Sequence, residues 1–396
     1  MKQTDNPGQF DHWIRTAFVE MNAELERLYF AQEDDRANVD KLGDNIKTRL
    51  TEEGRSLIMK LLREGNTDES FEATFDVLGN VGFYMAACRR HDITEPSREQ
   101  SSPLKEASSL ALHLGASLGV APRFATAHLT THNTAVSGVS KSFTGMPDEF
   151  VFNDYNTRSI LCFKRVSDAL FRVLAVGVSS PIAADLLMAA REALAEVIAN
   201  NELLFSKLDT DRFFYSVRPY YKPYRVGQHI YRGANAGDFA GINVIDMLLG
   251  LCRADHSYYS QLLVDKLLYM VPDDQALLKD CMRRSSLLND LLALPITDQS
   301  CDWYQHNTRL FLEVCDLHGQ TAMQHHNQLV NKFIKRPSES MDERHLDKVT
   351  ASGPPLPVLL RSLEKLRDLR TAAPRDDIPT SHDDLQTLRD TLLTAG

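Results

Sequence analysis

Residues 310–334 read LFLEVCDLHGQTAMQHHNQLVNKFI, and the spacing of their apolar side chains indicates the fold class. Apolar or small residues recur at three- and four-residue steps, which is the repeat of a helix that buries one face. This stretch therefore predicts a long amphipathic helix with His326 in its apolar face. Neighbouring His325 is rotated by about 100° and lies nearer the polar side. The predicted stripe comprises Leu312, Cys315, Gly319, Ala322, His326, Leu329 and Phe333.

The same rhythm dominates the rest of the chain, whereas the two-residue alternation of strands is scarce. We therefore predict an all-α fold. An irregular stretch, residues 131–149, favours a boundary between an N-terminal helical part, 1–140, and a larger helical domain, 141–396. Further helices are predicted for residues 10–32, 52–64, 71–90, 104–118, 155–178, 182–205, 238–253, 257–270, 273–294, 303–334, 358–369 and the segment after Ser381.

Three residues suggest where helices begin. Thr51 precedes two glutamates and Ser381 precedes two aspartates closely, so both are predicted N-caps. Pro181 stands where a first-turn proline belongs.

Composition narrows the function classes. Hydrophobic residues make up 43% and charged residues 25%, as in soluble globular proteins. The formal net charge of -10 gives no general reason to bind nucleic acid or an anionic membrane. The polar N-terminus and the lack of a long apolar run predict a cytoplasmic protein. Six scattered cysteines without a CxxC pair predict buried, reduced thiols rather than a zinc site or disulfides.

The segment RFFYSVRPYYKPYR, residues 212–225, is unusually rich in aromatic and basic residues. If Asp209 caps a helix here, Phe214 and Arg218 lie four residues apart on one face, with Phe213 on the adjoining one. Such a set could bind an aromatic amino acid, with rings against its side chain and Arg218 on its carboxylate. An aromatic core face with a cation–π or snorkelling arginine is the commoner explanation of such a pattern, and the residues alone favour it.

His326 also has two interpretations. The small residues Cys315, Gly319 and Ala322 precede it on the stripe, so a flat group could approach the helix and its iron could be ligated by the imidazole. A core histidine with one hydrogen bond is the commoner case. The small-residue loop 233–237 lacks the GxGxxG spacing, so the sequence indicates no nucleotide site.

Four ordered segments resemble the indoleamine 2,3-dioxygenase family, which belongs with tryptophan 2,3-dioxygenase among the histidine-ligated haem aromatic oxygenases. The segments are FFYSVRP, AGDFAGINVIDMLLG, HNQLVNKFI and ASGPP. LTTHNTAVSGVSKSFTGMPDE and RFFYSVRPYYKPYRVG are more similar still to the pyrrolnitrin-pathway, monodechloroaminopyrrolnitrin synthase-like branch. The likeness covers about residues 125–370 and implies a multi-helical fold that binds haem b.

The resemblance implies roles for individual residues. His326 matches the proximal ligand of the haem iron, and Arg218 matches the arginine that binds the substrate carboxylate. Ser352 matches a loop hydroxyl that contacts the substrate ammonium and a haem propionate. The matched aromatic pair lining the substrate pocket is Phe213 and Phe214, and the matched loop beside the distal haem face contains Asn235 and Ala236.

At other matched positions the resemblance leaves two roles open or the residue differs from that of the family. Asp246 matches an aspartate expected to be structural or to support the proximal histidine. Ala351 and Pro354 replace glycines of the family's loop, so its closure over substrate is expected to differ. His132 and Ser137 are candidates for the distal polar residue, with a loop-capping role as the alternative.

The implied activity is oxidation of tryptophan or a related indole by haem and dioxygen. It is either ring cleavage of the 2,3-dioxygenase type or rearrangement of the pyrrolnitrin type. Another aromatic amino acid, such as tyrosine, would also suit a pair of phenylalanines. Two alternatives belong to other classes: a haem-binding sensor or carrier without turnover, and a haem-free helical scaffold in which His326 is a core residue.

Overall fold

The computed structural model describes residues 5–64, 70–94, 102–328, 332 and 356–394. Within these ranges the chain is mainly helical, with one short two-stranded sheet, so the predicted all-α fold is confirmed. Within the same ranges, no helix combines the length and apolar character needed to cross a membrane. The fold clusters into two compact units, each assembled from three separate stretches of chain.

Unit 1 comprises Met1–Asp154, Lys207–Asp238 and Phe333–Leu359. Its antiparallel strands pair Arg225 with Ile230. Its described elements are α1 (Asn6–Arg15), α2 (Ala17–Phe30), α3 (Asp44–Glu64), α4 (Phe71–Arg90), α5 (Lys105–Leu118), the first turns of α6 (Pro147–Val176), α8 (Thr210–Arg212), β1 (Tyr224–Val226) and β2 (His229–Tyr231).

Unit 2 comprises Tyr155–Ser206, Phe239–Lys332 and Leu360–Gly396. Its helices pack around one continuous aliphatic core. Besides the remainder of α6, its helices are α7 (Ala183–Lys207), α9 (Ala240–Leu248), α10 (Ser257–Leu267), α11 (Pro272–Cys281), α12 (Leu287–Leu292), α13 (Ile296–Gln299), α14 (Asp302–Gln324), most of α15 (Leu356–Arg370), and α16 (His382–Thr394).

Two predicted helices are broken in the structure. The helix expected over residues 10–32 is interrupted at Thr16, whose backbone angles are φ -125° and ψ -97°. The helix expected over residues 273–294 ends at Cys281 and restarts after Ser286, whose hydroxyl caps α12 by accepting from the Asn289 N–H at 3.1 Å. Apolar periodicity persists across such short breaks, so it does not reveal them.

Of the two predicted N-caps, Thr51 is wrong, whereas Ser381 directly precedes α16 and its carbonyl accepts from the Leu385 N–H at 3.0 Å. Thr51 lies inside α3, which begins at Asp44, and its hydroxyl donates to the Lys47 carbonyl at 2.8 Å. The Ser381 hydroxyl donates to the Gly250 carbonyl at 2.5 Å, so it anchors the start of α16 to the turn after α9. Both hydroxyls satisfy backbone carbonyls, which is a common alternative to capping.

The cysteines follow the prediction. All six are free, and five are buried; Cys301 is partly exposed. Burial raises the pKa of the Cys88 thiol to about 12 and that of Cys162 to about 11. These thiols are therefore protonated and unreactive at neutral pH.

Candidate functional site

The aromatic and basic segment of unit 1 is helical but irregular. The Asp209 carboxylate accepts from the Arg212 N–H at 2.8 Å, so the predicted cap is confirmed. After one turn the backbone changes to a π-type turn over Phe213–Val217 and then to a tight 3-10 turn over Arg218–Tyr221. Changes of this kind are frequent at functional positions, since they redirect side chains that a regular helix would space evenly.

Most rings of this segment belong to the core of unit 1. Tyr220 stacks on Phe143 with ring centroids 4.4 Å apart, and the Tyr221 hydroxyl donates to Asn153 at 3.1 Å. Phe213 packs against Phe152 at 4.9 Å. These contacts support the aromatic core-face interpretation of the segment for Tyr220 and Tyr221.

Arg218 differs from its neighbours. Only 7% of its surface is exposed, so it does not snorkel to the solvent. Its guanidinium lies 5.7 Å from the Phe214 ring centroid, as their spacing predicted. Among the described residues, no carboxylate or carbonyl oxygen accepts a hydrogen bond from it. Burial lowers its pKa to about 10, so it stays a cation at neutral pH. A buried cation without an acceptor is costly, which makes an anionic ligand group its natural partner.

The loop of small residues ends at Asp238, whose carboxylate holds it in place. Asp238 pairs with both terminal nitrogens of Arg232, at 2.8 and 3.0 Å, and accepts from the Asn235 N–H at 2.9 Å. The Asn235 carbonyl accepts from Thr126 at 2.7 Å, while its side chain accepts from the Gly237 N–H at 3.0 Å. The backbone of Asn235 is therefore fixed from both sides.

The histidine helix α14 belongs to unit 2. It ends at Gln324, and residues 325–328 continue it as a π-type turn that carries His325 and His326. His326 is half-buried. His325 keeps exposed surface, although the protein around its imidazole, chiefly by desolvation, lowers its pKa to about 4. Both residues thus stand where the regular helical geometry changes.

The small residues before His326 pack against protein. A Cβ on Gly319 would lie 3.2 Å from the Arg370 carbonyl oxygen and 3.3 Å from the Thr371 Cα. The close approach that the stripe predicted is therefore made by the end of α15 rather than by a flat ligand. The packing at Gly319 leaves the His326 end of the helix as the place where a macrocycle could approach.

Asp246, at the centre of unit 2, has a structural role. Its fully buried carboxylate accepts from Tyr259, His318 and Arg370, each within 2.8 Å. Of the two roles expected from the resemblance, this geometry supports the structural one. His318 was not singled out from the sequence, although it lies eight residues before His326 on the same helix. Its Nδ1 is buried and has no hydrogen-bond partner among the described residues.

The two candidates for the distal polar residue lie at the surface. Ser137 is exposed at a left-handed φ of 50°, in the tight turn closed by Val136 and Val139. His132 is exposed and its Nδ1 lies 3.0 Å from the Thr131 hydroxyl. The loop role weighed for both from the sequence is thus the better supported one.

Ser352, Ala351 and Pro354 lie outside the described residues, as do Leu329 and Phe333 of the predicted stripe. The predicted contact of the Ser352 hydroxyl with substrate therefore stays a prediction.

His326 offers a single imidazole donor to a haem iron. Within the described ranges, no three or more His, Cys, Asp or Glu side chains converge as a metal-ligating group. A single imidazole at a helix end fits haem, because the porphyrin supplies the other four nitrogen donors. His326 therefore fits as a haem ligand, and His325 is its immediate competitor.

The family model described as Monodechloroaminopyrrolnitrin synthase PrnB matches residues 4–392, which is nearly the whole chain. The chain belongs to the monodechloroaminopyrrolnitrin synthase PrnB family. This agrees with the branch to which residues 129–149 and 212–227 pointed. The family is one of haem-dependent, oxygenase-type enzymes that act on an indole substrate.

Membership gives the geometry a chemical context. The PrnB match extends over both units, so it includes the buried Arg218 of unit 1 and the histidine turn of unit 2. For an enzyme of this family, a guanidinium beside a phenylalanine ring suits a ligand that has both a flat ring and an anionic group.

Proposed function

We propose that this protein is a haem b-dependent oxygenase that uses dioxygen to oxidise tryptophan or a closely related indole with an amino-acid side chain. The observation that carries the proposal is the buried guanidinium of Arg218 beside the Phe214 ring. Membership of the PrnB family supports the haem, the oxygenase chemistry and the indole.

Arg218 is proposed to bind the substrate carboxylate. Arg218 is buried and has no described acceptor, which is unfavourable for a cation. A carboxylate that enters would therefore give the guanidinium a two-pronged, charge-assisted hydrogen bond. Its position on a tight turn, between Phe214, whose ring it contacts, and Tyr220, which stacks on Phe143, favours a fixed orientation without a ligand. Little ordering is then required on binding, which favours affinity.

Phe213 and Phe214 are proposed to contact the substrate ring. Both are buried, at 4% exposure each, and they lie on the π-type turn directly before Arg218. A flat ring and a carboxylate three bonds away could then be recognised by consecutive turns of one segment. Aromatic surfaces alone would also accept tyrosine, so the choice of indole is expected to depend on further residues.

His326 is proposed to ligate the haem iron through a neutral imidazole. When bound, haem b would supply the dioxygen binding and the one-electron chemistry that amino-acid side chains lack. The fixed loop at Asn235 and Ala236 is proposed to lie beside the cofactor, and Ser352 is proposed to bind the substrate ammonium. The protein itself would orient the substrate ring and exclude water from the site.

Two reaction outcomes are distinguished by experiment. The resemblance to the pyrrolnitrin-pathway branch, with which the family match agrees, favours rearrangement of the indole framework over ring-cleaving dioxygenation. The protein would be reconstituted with haemin, reduced, titrated with tryptophan, other indoles and tyrosine while the Soret band is followed, and then exposed to isotopically labelled dioxygen. Incorporation of both labelled atoms into a formylkynurenine-type product would indicate ring cleavage.

A rearranged product that lacks one or both labels would support the PrnB-type reaction. A stable Soret band that shifts with no ligand, together with unchanged tryptophan, would instead favour a haem carrier or sensor. Failure to form any stable Soret band would refute the role of His326.

A further inference from the structure

Helix α4 ends in a side chain that reaches the turn carrying Arg218. Arg90, the last residue of α4, donates through Nη2 to the Tyr215 carbonyl at 3.0 Å, across 125 residues of sequence. Tyr215 lies in the π-type turn Phe213–Val217, three residues before Arg218. Arg90, Tyr215 and Arg218 all belong to unit 1, so the contact lies within one compact part of the fold.

The sequence explains why the Tyr215 carbonyl lacks the partner that a regular helix would give it. That partner is the N–H of residue 219, but residue 219 is proline, which has no N–H. The backbone pairs over a longer step here, since the Arg218 N–H donates to the Phe213 carbonyl five residues back. Arg90 therefore donates at the point where Pro219 interrupts the regular helical pairing.

Arg90 is itself held in place by α2. Its Nε and Nη2 donate to the two carboxylate oxygens of the fully buried Glu26, at 2.7 and 2.9 Å. Its guanidinium carbon lies 4.9 Å from the centroid of the Tyr29 ring, and only 8% of the residue is exposed. A planar guanidinium held by two oxygens and a ring has little freedom to turn. The donor to the Tyr215 carbonyl is therefore fixed before a ligand arrives.

We infer that Arg90 is a positioning residue for Arg218: by holding the Tyr215 carbonyl, it fixes the turn that directs the Arg218 guanidinium toward an incoming carboxylate. The inference rests on the proposed role of Arg218 as the carboxylate anchor. The charge of Arg90 is already matched by Glu26, so its contribution is order rather than charge. A turn that is fixed in the free protein loses little conformational entropy on binding, which raises the affinity for the ligand.

Removal of the Arg90 donor tests this inference in the haemin-reconstituted full chain. Glu26→Gln/Arg90→Met replaces both charges of the pair together, so no unpaired ion is left buried. Calorimetry should show that the dissociation constant for 3-(indol-3-yl)propionate rises roughly tenfold, because the Arg218 guanidinium is present but no longer held. Binding of tryptamine, which has no carboxylate, should be nearly unchanged. Unchanged binding of the propionate, or an equal loss for both ligands, would overturn the inference.

The matched control makes the same two substitutions in another ion pair of unit 1. Arg55 of α3 donates to Glu106 of α5 through Nε and Nη2, at 3.1 and 2.6 Å. Glu106→Gln/Arg55→Met should bind both ligands like the wild type. A loss of propionate affinity equal to that of Glu26→Gln/Arg90→Met would reduce the Arg90 effect to general destabilisation and overturn the inference.

A double-mutant cycle shows whether Arg90 acts through Arg218. If it does, Glu26→Gln/Arg90→Met should weaken propionate binding no further when it is added to Arg218→Met, because the group that it positions is already absent. A merely structural contribution would weaken binding by the same factor in both backgrounds. Equal factors would therefore contradict the inference.

Arg90→Lys keeps a cation opposite Glu26, and it provides the test if the double substitution does not fold. The lysine side chain ends one bond short of Nη2, so its ammonium can pair with Glu26 without also reaching the Tyr215 carbonyl. The propionate affinity of this variant should fall as in Glu26→Gln/Arg90→Met. Wild-type affinity would mean that the charge of residue 90 is sufficient, and the inference would then be wrong.

The outcomes separate this inference from the proposed function. If Arg218→Met weakens propionate binding and Glu26→Gln/Arg90→Met does not, Arg218 remains the carboxylate anchor and only the inference fails. If Arg218→Met leaves propionate binding unchanged, the anchor role fails and the inference fails with it. Circular dichroism and thermal melting confirm that each variant is folded.

Discussion

Arg370 and Asp246 form a buried, two-pronged ion pair: Nε lies 2.8 Å from Oδ1, and Nη2 lies 2.8 Å from Oδ2. The pair joins the last residue of α15 to α9. The same segment accounts for the glycine at position 319 of α14. The backbone of Arg370 and Thr371 packs directly on Gly319 and leaves little room for a Cβ there. The ion pair therefore helps to hold the helix that carries His326 in unit 2.

Replacement of Asp246 by Asn should destabilise the protein strongly. The substitution leaves the Arg370 guanidinium buried without its counter-charge, which typically costs about 3–5 kcal/mol. Urea unfolding should show this loss in the free energy of unfolding of the purified variant. The control is Asp255→Asn, which breaks an exposed pair with Arg253 and should leave that free energy nearly unchanged. Equal effects of the two variants would contradict the assignment.

Asp246 should also contribute to stability in a pH-dependent way. Burial opposes its ionisation, but Arg370 and His318 outweigh burial and hold the pKa of Asp246 below its ordinary value of 3.8. A depressed pKa contributes stability above the unfolded pKa, and this contribution is lost as the pH falls toward the folded one. From pH 5 to pH 3 the wild type should lose about 1 kcal/mol more than Asp246→Asn. Parallel curves for the two proteins would contradict this.

His326 and His325 should differ in haem binding. Removal of an axial ligand abolishes a stable haem complex, so haemin-treated His326→Ala should lack the Soret band of the wild type. His325→Ala is the matched control, since it removes the adjacent imidazole from the same π-type turn, and it should retain the band. The reverse result would identify His325, rather than His326, as the ligand of the haem iron.

Arg218→Met should weaken the binding of indole carboxylates. Charge-assisted hydrogen bonds contribute about 1.5–3 kcal/mol, so the dissociation constant for 3-(indol-3-yl)propionate should rise roughly 10- to 100-fold. Binding of tryptamine, which has no carboxylate, should not weaken. Arg55→Met, which removes an exposed arginine of α3, serves as the control. A similar loss for both ligands would indicate that Arg218 only supports the pocket wall.

Arg218→Met should not unfold unit 1. The guanidinium is buried and has no described ion-pair partner, so its removal leaves no counter-charge behind. The melting temperature of the variant should therefore equal or exceed that of the wild type. A large drop would mean that Arg218 is held by an interaction outside the described residues.

Local patterns in the sequence were sufficient to predict part of the structure of this protein. Helical periodicity identified α4 at its observed bounds, and the spacing of Phe214 and Arg218 predicted their contact. These inferences succeed because positions three or four residues apart are neighbours on any helix, whatever surrounds it. The break at Thr16 and the wrong cap at Thr51 show the limit of such signals, since both depend on backbone geometry that the periodicity does not encode.

The chain alone thus determined an all-α architecture, the family resemblance and the residues worth testing. Tertiary structure decided the rest: that Arg218 is buried without a described acceptor, that Arg90 donates to the Tyr215 carbonyl, and that Gly319 is covered by Thr371. The physical reason is that burial and electrostatic environment are produced by segments far apart in sequence. Arg90 and Tyr215 are separated by 125 residues, and only folding places the guanidinium within hydrogen-bond distance of that carbonyl.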